Sequence, residues 1–257
     1  MNDNLIEKII EYWDRQPCNS KHSTIDTNDE QFYIESSKKR YTSEPHIPTF
    51  AQFHLYQGKR VLEIGCGIGA DGAEFSKHGA DYVGVDISQN SIEIAKKRFE
   101  VLNLPGSFFT CDAGKDLSFL GKFDMVYSLG VLHHYPEPRS IVEQVHRVLV
   151  PDGEFKFLVY AKNSWKYAMI RKGLDQFEAQ AGCPLARVYT NEEVYDLVSD
   201  LFVIERIRQD HCFMFNVDKY KQSNYVLEPW FEAMPEVVRE AVKEYLGWHL
   251  LVKARIK

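Results

Sequence analysis

The most constraining feature of the chain is an apolar segment that breaks into a turn with glycine at alternate positions. Residues Arg60–Ile64 predict a buried strand, and a helical pattern follows over Ala70–His78. Between them stand Gly65, Gly67 and Gly69, where the missing side chains let the backbone approach a ligand closely. This order of strand, glycine-rich turn and helix is typical of a nucleotide-binding unit in an α/β protein.

The acidic residues around the turn indicate which ligand it binds. Asp86 ends the next apolar run, where a carboxylate can accept hydrogen bonds from ribose hydroxyls. The spacing G-x-G-x-G differs from the G-x-G-x-x-G that seats a pyrophosphate at a helix N-terminus. Glu63 and Asp71 flank the loop, and two carboxylates would repel a pyrophosphate but suit a ligand that carries positive charge. The loop therefore favours an adenosine-containing cofactor without phosphates.

These residues resemble the cofactor loop of the class I S-adenosylmethionine-dependent methyltransferases, whose cofactor carries a sulfonium and an ammonium group. The resemblance spans Lys59 to Tyr160 and continues in the family's order at Asp86, Cys111–Ala113, Phe123–Ser128, Gly130–His134 and Arg147–Glu154. It implies a Rossmann-like α/β fold with a seven-stranded, mostly parallel sheet and an antiparallel final strand. It also implies methyltransferase activity of the EC 2.1.1 type, with S-adenosylmethionine as cofactor and S-adenosylhomocysteine as product.

Alternating apolar and helical patterns predict a parallel sheet with right-handed crossovers. Further strands are expected at Tyr82–Asp86, Ser107–Cys111, Phe123–Ser128 and Glu154–Tyr160, and helices at Asn90–Leu102 and Pro138–Leu149. Pro151–Gly153 predicts a turn between the last of these helices and its strand. Later, Thr190–Glu193 matches a capping box that opens a helix. Phe202–Arg208 and His249–Ile256 alternate like an antiparallel pair of strands.

Three parts follow from these patterns: a helical cap at 1–57, the cofactor-binding core at 58–160, and the completion of the sheet at 161–257. The cap is expected to contain one amphipathic helix around Ile9 and Trp13, with Trp13 as a core anchor, and then loop and short helix over Pro17–Pro48. Two insertions, at about 161–189 and 210–247, leave the sheet near its ligand-binding edge. We expect them to form an aromatic lid with the cap over a mostly apolar pocket. The resemblance implies that such a lid determines the substrate.

The cofactor-binding residues are predicted from the loop and from the resemblance. Asp86 should bind the ribose, Asp112 the adenine amino group, and Arg40 the cofactor's carboxylate. The alternatives are that Asp86 only caps a helix, that Asp112 is an exposed loop acid, and that Arg40 is a surface arginine. The full predicted set is Arg40, Glu63, Gly65, Cys66, Gly67, Gly69, Asp86, Ile87, Asp112, Ala113, Ser128 and Leu129.

The predicted catalytic residues are side chains near strand ends that could remove a proton from the acceptor. His133 and His134 follow the fourth strand, and Tyr160 and His211 lie near other strand ends facing the lid. The histidine pair could instead be a packing element, and an amine or thiolate acceptor would need no base. No metal is predicted, because neither the histidine pair nor Cys18 with His22 supplies enough ligands.

Composition restricts the substrate class. The net charge is −6 without a stripe of Lys and Arg, which argues against a nucleic-acid substrate. Five scattered cysteines, no leader at the N-terminus and no long apolar run favour a cytoplasmic protein without a membrane span. A small-molecule acceptor is therefore expected. A regulatory protein that binds S-adenosylmethionine without transfer, and a methyltransferase acting on RNA or protein, are the alternatives. The acceptor atom and the oligomeric state stay open.

Overall fold

The centre of the fold is a seven-stranded sheet with the order β3-β2-β1-β4-β5-β7-β6. The computed structural model describes residues 2–17, 29–175, 182–212, 214–220, 222 and 224–257. The strands are β1 (Arg60–Ile64), β2 (Asp81–Asp86), β3 (Ser107–Thr110), β4 (Phe123–Leu129), β5 (Leu149–Tyr160), β6 (Phe202–Asp210) and β7 (His249–Ile256). Strands β1 to β5 pair in parallel, and β7 is antiparallel to both β5 and β6. The predicted Rossmann-like sheet with an antiparallel final strand is thus confirmed.

Helices cover both faces of the sheet and its carboxyl edge. Before the first strand lie α1 (Asn2–Arg15), α2 (Glu30–Ser43) and α3 (His46–Ala51). The helices between strands are α4 (Ala70–Lys77), α5 (Gln89–Val101), α6 (Pro138–Val148), α7 (Trp165–Arg171), α8 (Asn191–Val198), α9 (Val217–Tyr220), α10 (Pro229–Glu232) and α11 (Glu236–Leu246). The capping box predicted at the start of α8 is present, with Thr190 and Glu193 bonded reciprocally.

Two apolar clusters form the core, one on each face of the sheet. Side chains alternate across a strand, so Val61 and Tyr127 belong to one cluster while Leu62 and Val126 belong to the other. All four are fully buried. This burial on both faces explains why the strands in the sequence are continuous apolar runs rather than alternating ones.

The strand directions bring functional residues to one edge. Because β7 runs antiparallel to β5, its first residue, His249, pairs with Tyr160, the last residue of β5. Strand β6 is antiparallel to β7, and its last residue, Asp210, also pairs with His249. The ends of β1 to β6 and the start of β7 therefore share the carboxyl edge of the sheet, where ligands bind in open α/β folds.

Two sequence expectations need correction. The segment Pro17–Pro48 was expected to be loop and short helix, but α2 has 14 residues, with Asp29 as its N-cap. Its apolar residues do not form a regular stripe, because the buried Phe32 and Tyr33 are adjacent in sequence. The turn Pro151–Gly153 does not precede β5 but lies inside it: Leu149 already pairs with β4, and the register shifts before Glu154. Asp152, with φ of 64°, bends this bulge.

The segments that cover the cavity differ from those expected to form the lid. Both insertions leave the carboxyl edge, after β5 and after β6. Trp165 of the first insertion contacts Trp230 of the second with ring centroids 6.3 Å apart. However, the described residues of 162–189 and 210–247 do not line the cavity at this edge, which α1 and α2 cover instead.

Among the described residues, no helix is both long and apolar enough to cross a membrane. The three-part division of the chain stays a prediction.

Candidate functional site

One cavity of about 200 Å³ opens at the carboxyl edge of the sheet. Its wall contains most of the predicted site residues: Arg40, Glu63, Gly65, Cys66, Gly67, Asp86, Ile87, Ala113, Leu129, His134 and Tyr160. Five predicted residues do not line it: Gly69, Asp112, Ser128, His133 and His211. The cavity runs along the edge from β2, through β1 and β4, to β5 and β7.

The glycine loop forms the floor of the cavity with its backbone. The amides of Gly65 and Cys66 both donate to the carbonyl oxygen of Val85, at 2.8 and 3.0 Å, which ties the loop to β2. Gly67 has φ of 51°, and a Cβ built on it would meet no atom within 4 Å. A Cβ on Gly69 would instead meet Ala95 of α5. Gly67 therefore leaves space for a ligand, whereas Gly69 allows the loop to pack on α5.

Asp86 connects the end of β2 to the glycine loop. Its Oδ2 accepts a hydrogen bond from the amide of Gly67 at 2.8 Å, and its Oδ1 accepts one from the amide of Ser88 at 2.9 Å. The side chain of Ser88, not Asp86, caps α5. Burial raises the pKa of Asp86, although these amide bonds oppose the change. Each carboxylate oxygen keeps a second acceptor direction, so Asp86 can also accept bonds from ribose hydroxyls.

Asp112 and Ser128 form hydrogen bonds with neighbouring protein groups and do not line the cavity. Asp112 Oδ1 accepts hydrogen bonds from the Tyr135 hydroxyl at 2.7 Å and from the Gly114 amide at 2.9 Å. The Ser128 hydroxyl donates to the carbonyl oxygen of Ile64 at 3.2 Å. Their neighbours Ala113, Leu129 and Tyr135 do line the cavity. Of the four residues predicted at these two strand ends, Ala113 and Leu129 thus contact the open space and Asp112 and Ser128 do not.

The charges around the loop differ from the sequence expectation. Asp71 is paired with Arg40, whose Nε and Nη2 donate to its two carboxylate oxygens at 3.0 and 2.9 Å. Burial opposes the charge of Arg40, but Asp71 and Glu44 raise its pKa above the usual value. Burial raises the pKa of Glu63, which accepts a 2.6 Å bond from the Tyr82 hydroxyl. The loop is therefore less negative than two unpaired carboxylates would make it.

The structure distinguishes the two adjacent histidines. His133 is fully buried, and neither ring nitrogen has a hydrogen-bond partner among the described residues. Its ring packs on Tyr160 with centroids 3.8 Å apart, and burial lowers its pKa well below the usual value. His134 lines the cavity, and its Nδ1 lies 2.6 Å from the carbonyl oxygen of Leu185. Since a carbonyl only accepts, Nδ1 donates, and the basic nitrogen of the neutral ring is Nε2.

Sequence reasoning missed several residues on the wall. Trp13, expected to be a core anchor, lines the cavity and contacts the ring of His134 with centroids 5.3 Å apart. Glu44 and His249 also line it. No local pattern marks Glu44, and His249 was assigned only as the start of a strand. The predicted antiparallel direction of β7 could have indicated His249, because an antiparallel strand starts at the ligand-binding edge of the sheet.

A cluster of three histidines lies at the β7 end of the cavity. His46 Nε2 is 3.0 Å from His249 Nδ1, and the ring of His211 lies 5.0 Å from that of His46 and 4.7 Å from that of His249. All three are buried. Burial lowers the pKa of His46 to about 2 and that of His211 to about 3, so the imidazoles are neutral. His211 was predicted as a catalytic residue near the lid, but it stands behind the cavity wall, against His249.

Known proteins resemble the region that contains this cavity. Residues 61–153 match a family model described as a methyltransferase domain. These residues therefore form a methyltransferase domain of the class I S-adenosylmethionine-dependent type. S-adenosylmethionine is the cofactor of this family. The open space at Gly67 and the carboxylate of Asp86, which accepts hydrogen bonds, fit its adenosine.

Two curated methyltransferases illustrate the extent of the similarity. The ubiquinone biosynthesis O-methyltransferase of Neisseria meningitidis serogroup A is 32% identical over 113 residues, covering 43% of this chain and 48% of that protein. The phthiotriol/phenolphthiotriol dimycocerosates methyltransferase of Mycobacterium tuberculosis is 37% identical over 122 residues, covering 43% of this chain and 44% of that protein. The chain thus matches about half the length of these relatives.

A solved structure shares the whole fold. Magnesium protoporphyrin IX methyltransferase from Synechocystis PCC 6803, solved with bound S-adenosylmethionine, superposes with a TM-score of 0.60. The comparison covers 98% of this chain and 97% of that chain at 17% identity. At this identity the likeness concerns the fold, including the elements outside the matched domain.

Proposed function

We propose that the chain transfers a methyl group from S-adenosylmethionine to a small-molecule acceptor. The observation that carries this proposal is the order of groups along one covered cavity. Asp86 and the glycine loop stand at the β2 and β1 end, and Leu129, Tyr160 and His249 stand at the β4, β5 and β7 end. The adenosine half of the cofactor would lie at the first end, so the acceptor would enter beside the second.

The helices α1 and α2, which cover the cavity, favour a small methyl acceptor. Ile9 and Trp13 of α1 and Arg40 of α2 line the same cavity as the strand ends. A folded protein or an RNA duplex would need an open face at this edge, with basic side chains in the RNA case. The two curated relatives are named for methylation of small molecules in ubiquinone biosynthesis and of dimycocerosates, which supports the same substrate class here.

The chain's own residues would position the reactants and exclude water. S-adenosylmethionine supplies a methyl group on a sulfonium, whose departure as a neutral thioether needs no acid. The Asp86 carboxylate would hold the ribose, and Arg40, fixed by Asp71, would face the carboxylate of the cofactor. Leu129 and Tyr160 would enclose the space where acceptor and methyl meet. Alignment in such a site supplies much of the rate enhancement of a displacement reaction.

An acceptor hydroxyl would also have to lose its proton. We assign this role to His134 rather than to His133, because His134 lines the cavity and its Nδ1 hydrogen is held by Leu185. A base of this kind contributes about 10²- to 10⁴-fold to turnover. His134→Ala should therefore reduce methylation of a hydroxyl by that factor, while affinity for S-adenosylhomocysteine stays near that of the wild type.

The function is tested by following a labelled methyl group. The purified protein is incubated with methyl-labelled S-adenosylmethionine and cell extract, which is then separated into small-molecule, RNA and protein fractions. We expect label in the small-molecule fraction, and much less of it with Asp86→Ala at a limiting concentration of S-adenosylmethionine. Label in RNA or protein would refute the small-molecule assignment. Tight binding of S-adenosylhomocysteine without label in any fraction would favour the regulatory alternative.

A further inference from the structure

The described chain contains one group of three residues whose donor atoms could bind a metal ion together. Glu44, His211 and His249 each offer one ligand atom, and these atoms all lie within 4.8 Å of one another. The three come from the end of α2, the residue after β6 and the first residue of β7. Only the tertiary fold joins them, so sequence spacing predicted no metal site.

The distances are close to those of a bound ion. Three atoms within 4.8 Å of one another have a common centre at most about 2.8 Å from each, against about 2.0–2.2 Å in an occupied nitrogen and oxygen site. Small side-chain rotations that move each donor atom by less than about 1 Å would close this difference. Two imidazoles with one carboxylate suit zinc, iron, cobalt or nickel better than magnesium or calcium, which prefer oxygen ligands.

The surroundings fix the ligands in place. His249 Nδ1 faces Glu44 Oε1 at 3.9 Å, and His46 Nε2 lies 3.0 Å from the same nitrogen, so the imidazole of His46 stands beside the ligand set. The amide of Trp248 donates to the carbonyl oxygen of His211 at 2.9 Å, which holds the two histidines side by side. His211 has φ of 64°, an unfavourable backbone conformation for a residue with a side chain. Such conformations cluster at functional sites.

We propose that Glu44, His211 and His249 bind one divalent transition-metal ion at the acceptor end of the cavity. Glu44 and His249 line the cavity, so an ion between them would be open to a ligand from that side. A consequence, which rests on the proposed function, concerns the acceptor. Its nucleophilic oxygen would coordinate the ion, which would favour the deprotonated form by charge.

Metal binding is measured directly on the full chain, without an activity assay. The protein is stripped with chelator, dialysed against Co²⁺ or Zn²⁺, and analysed by elemental mass spectrometry and, for Co²⁺, by visible absorption. We expect one ion per chain and the absorption bands of nitrogen and oxygen ligands. His211→Ala should weaken binding at least tenfold. His54→Ala, an exposed histidine on the turn before β1, should bind as the wild type does.

Several results would overturn the site. Wild-type protein that takes up much less than one equivalent, or a His211→Ala protein that keeps full affinity, would exclude it. A thiolate charge-transfer band would place the ion on cysteine instead. If His211→Ala does not fold, Glu44→Gln tests the same ligand set with a side chain of equal size. Calorimetry with S-adenosylhomocysteine on the metal-free protein separates the two proposals, because intact binding without metal uptake refutes only the metal site.

Discussion

The role of the glycine loop can be isolated by comparing two glycines with the same backbone constraint. Gly67 and Gly58 have φ of 51° and 69°, and a Cβ on either would meet no atom within 4 Å. They differ in location, because Gly67 lines the cavity whereas Gly58 lies in the exposed turn before β1. Alanine at either position adds one methyl group in a left-handed conformation.

The expected magnitudes follow from these two facts. Alanine in the left-handed region costs about 1–2 kcal/mol, so both variants should lose a similar amount of folding free energy. For a chain of this size that corresponds to about 2–8 °C in melting temperature. Only the methyl of Gly67→Ala would enter the ligand's space. Overpacking costs about 1–3 kcal/mol, which is about a 5- to 140-fold loss of affinity for S-adenosylhomocysteine.

Thermal unfolding and calorimetry with S-adenosylhomocysteine measure the two quantities on the same preparations. We expect matched melting temperatures and a loss of affinity in Gly67→Ala alone. Wild-type affinity in Gly67→Ala would show that the loop does not contact the cofactor. An equal loss of affinity in Gly58→Ala would show that the effect comes from general destabilisation, and would refute the reasoning.

Three further predictions concern buried charges and a buried histidine. Asp86→Ala should weaken S-adenosylhomocysteine binding by about 1.5–3 kcal/mol, because bonds to a charged group are lost, and wild-type affinity in calorimetry would contradict this. Asp71→Ala should destabilise the fold by about 3–5 kcal/mol in urea unfolding, since it leaves Arg40 buried without its main partner. The exposed pair of Asp200 with Arg139 is the control, and Asp200→Ala should change stability little. Burial lowers the pKa of His133, so on acidification the unfolded chain protonates at a higher pH than the folded chain. The free energy of unfolding therefore falls as pH drops below about 6.5. His133→Phe should therefore reduce the stability difference between pH 7.5 and pH 5.5 by about 1.4 kcal/mol, and an unchanged difference would show that His133 is protonated in the folded state.

Local patterns were sufficient to predict the central sheet and the glycine-rich loop that follows its first strand. Predicted strand Arg60–Ile64 has the observed bounds, and Gly67 and Asp86 lie on the wall of the predicted cavity. These features depend on residues that are near in sequence: a strand buried on both faces needs an apolar run, and a positive φ favours glycine. The capping box at Thr190 was equally visible, because both of its bonds join residues three positions apart.

The tertiary structure decided which side chains meet at the cavity. Whether Asp71 repels a ligand depends on Arg40, which lies 31 positions away and pairs with it only when α2 crosses α4. Nor could the adjacent histidines be told apart in sequence, since His133 differs from His134 by its contact with Tyr160 and His134 by its hydrogen bond to Leu185. His46 and His249 are 203 positions apart and meet because β7 is reversed beside β5. Contacts of this range depend on how elements pack and on strand direction, and these follow from burial of the whole core rather than from any local pattern.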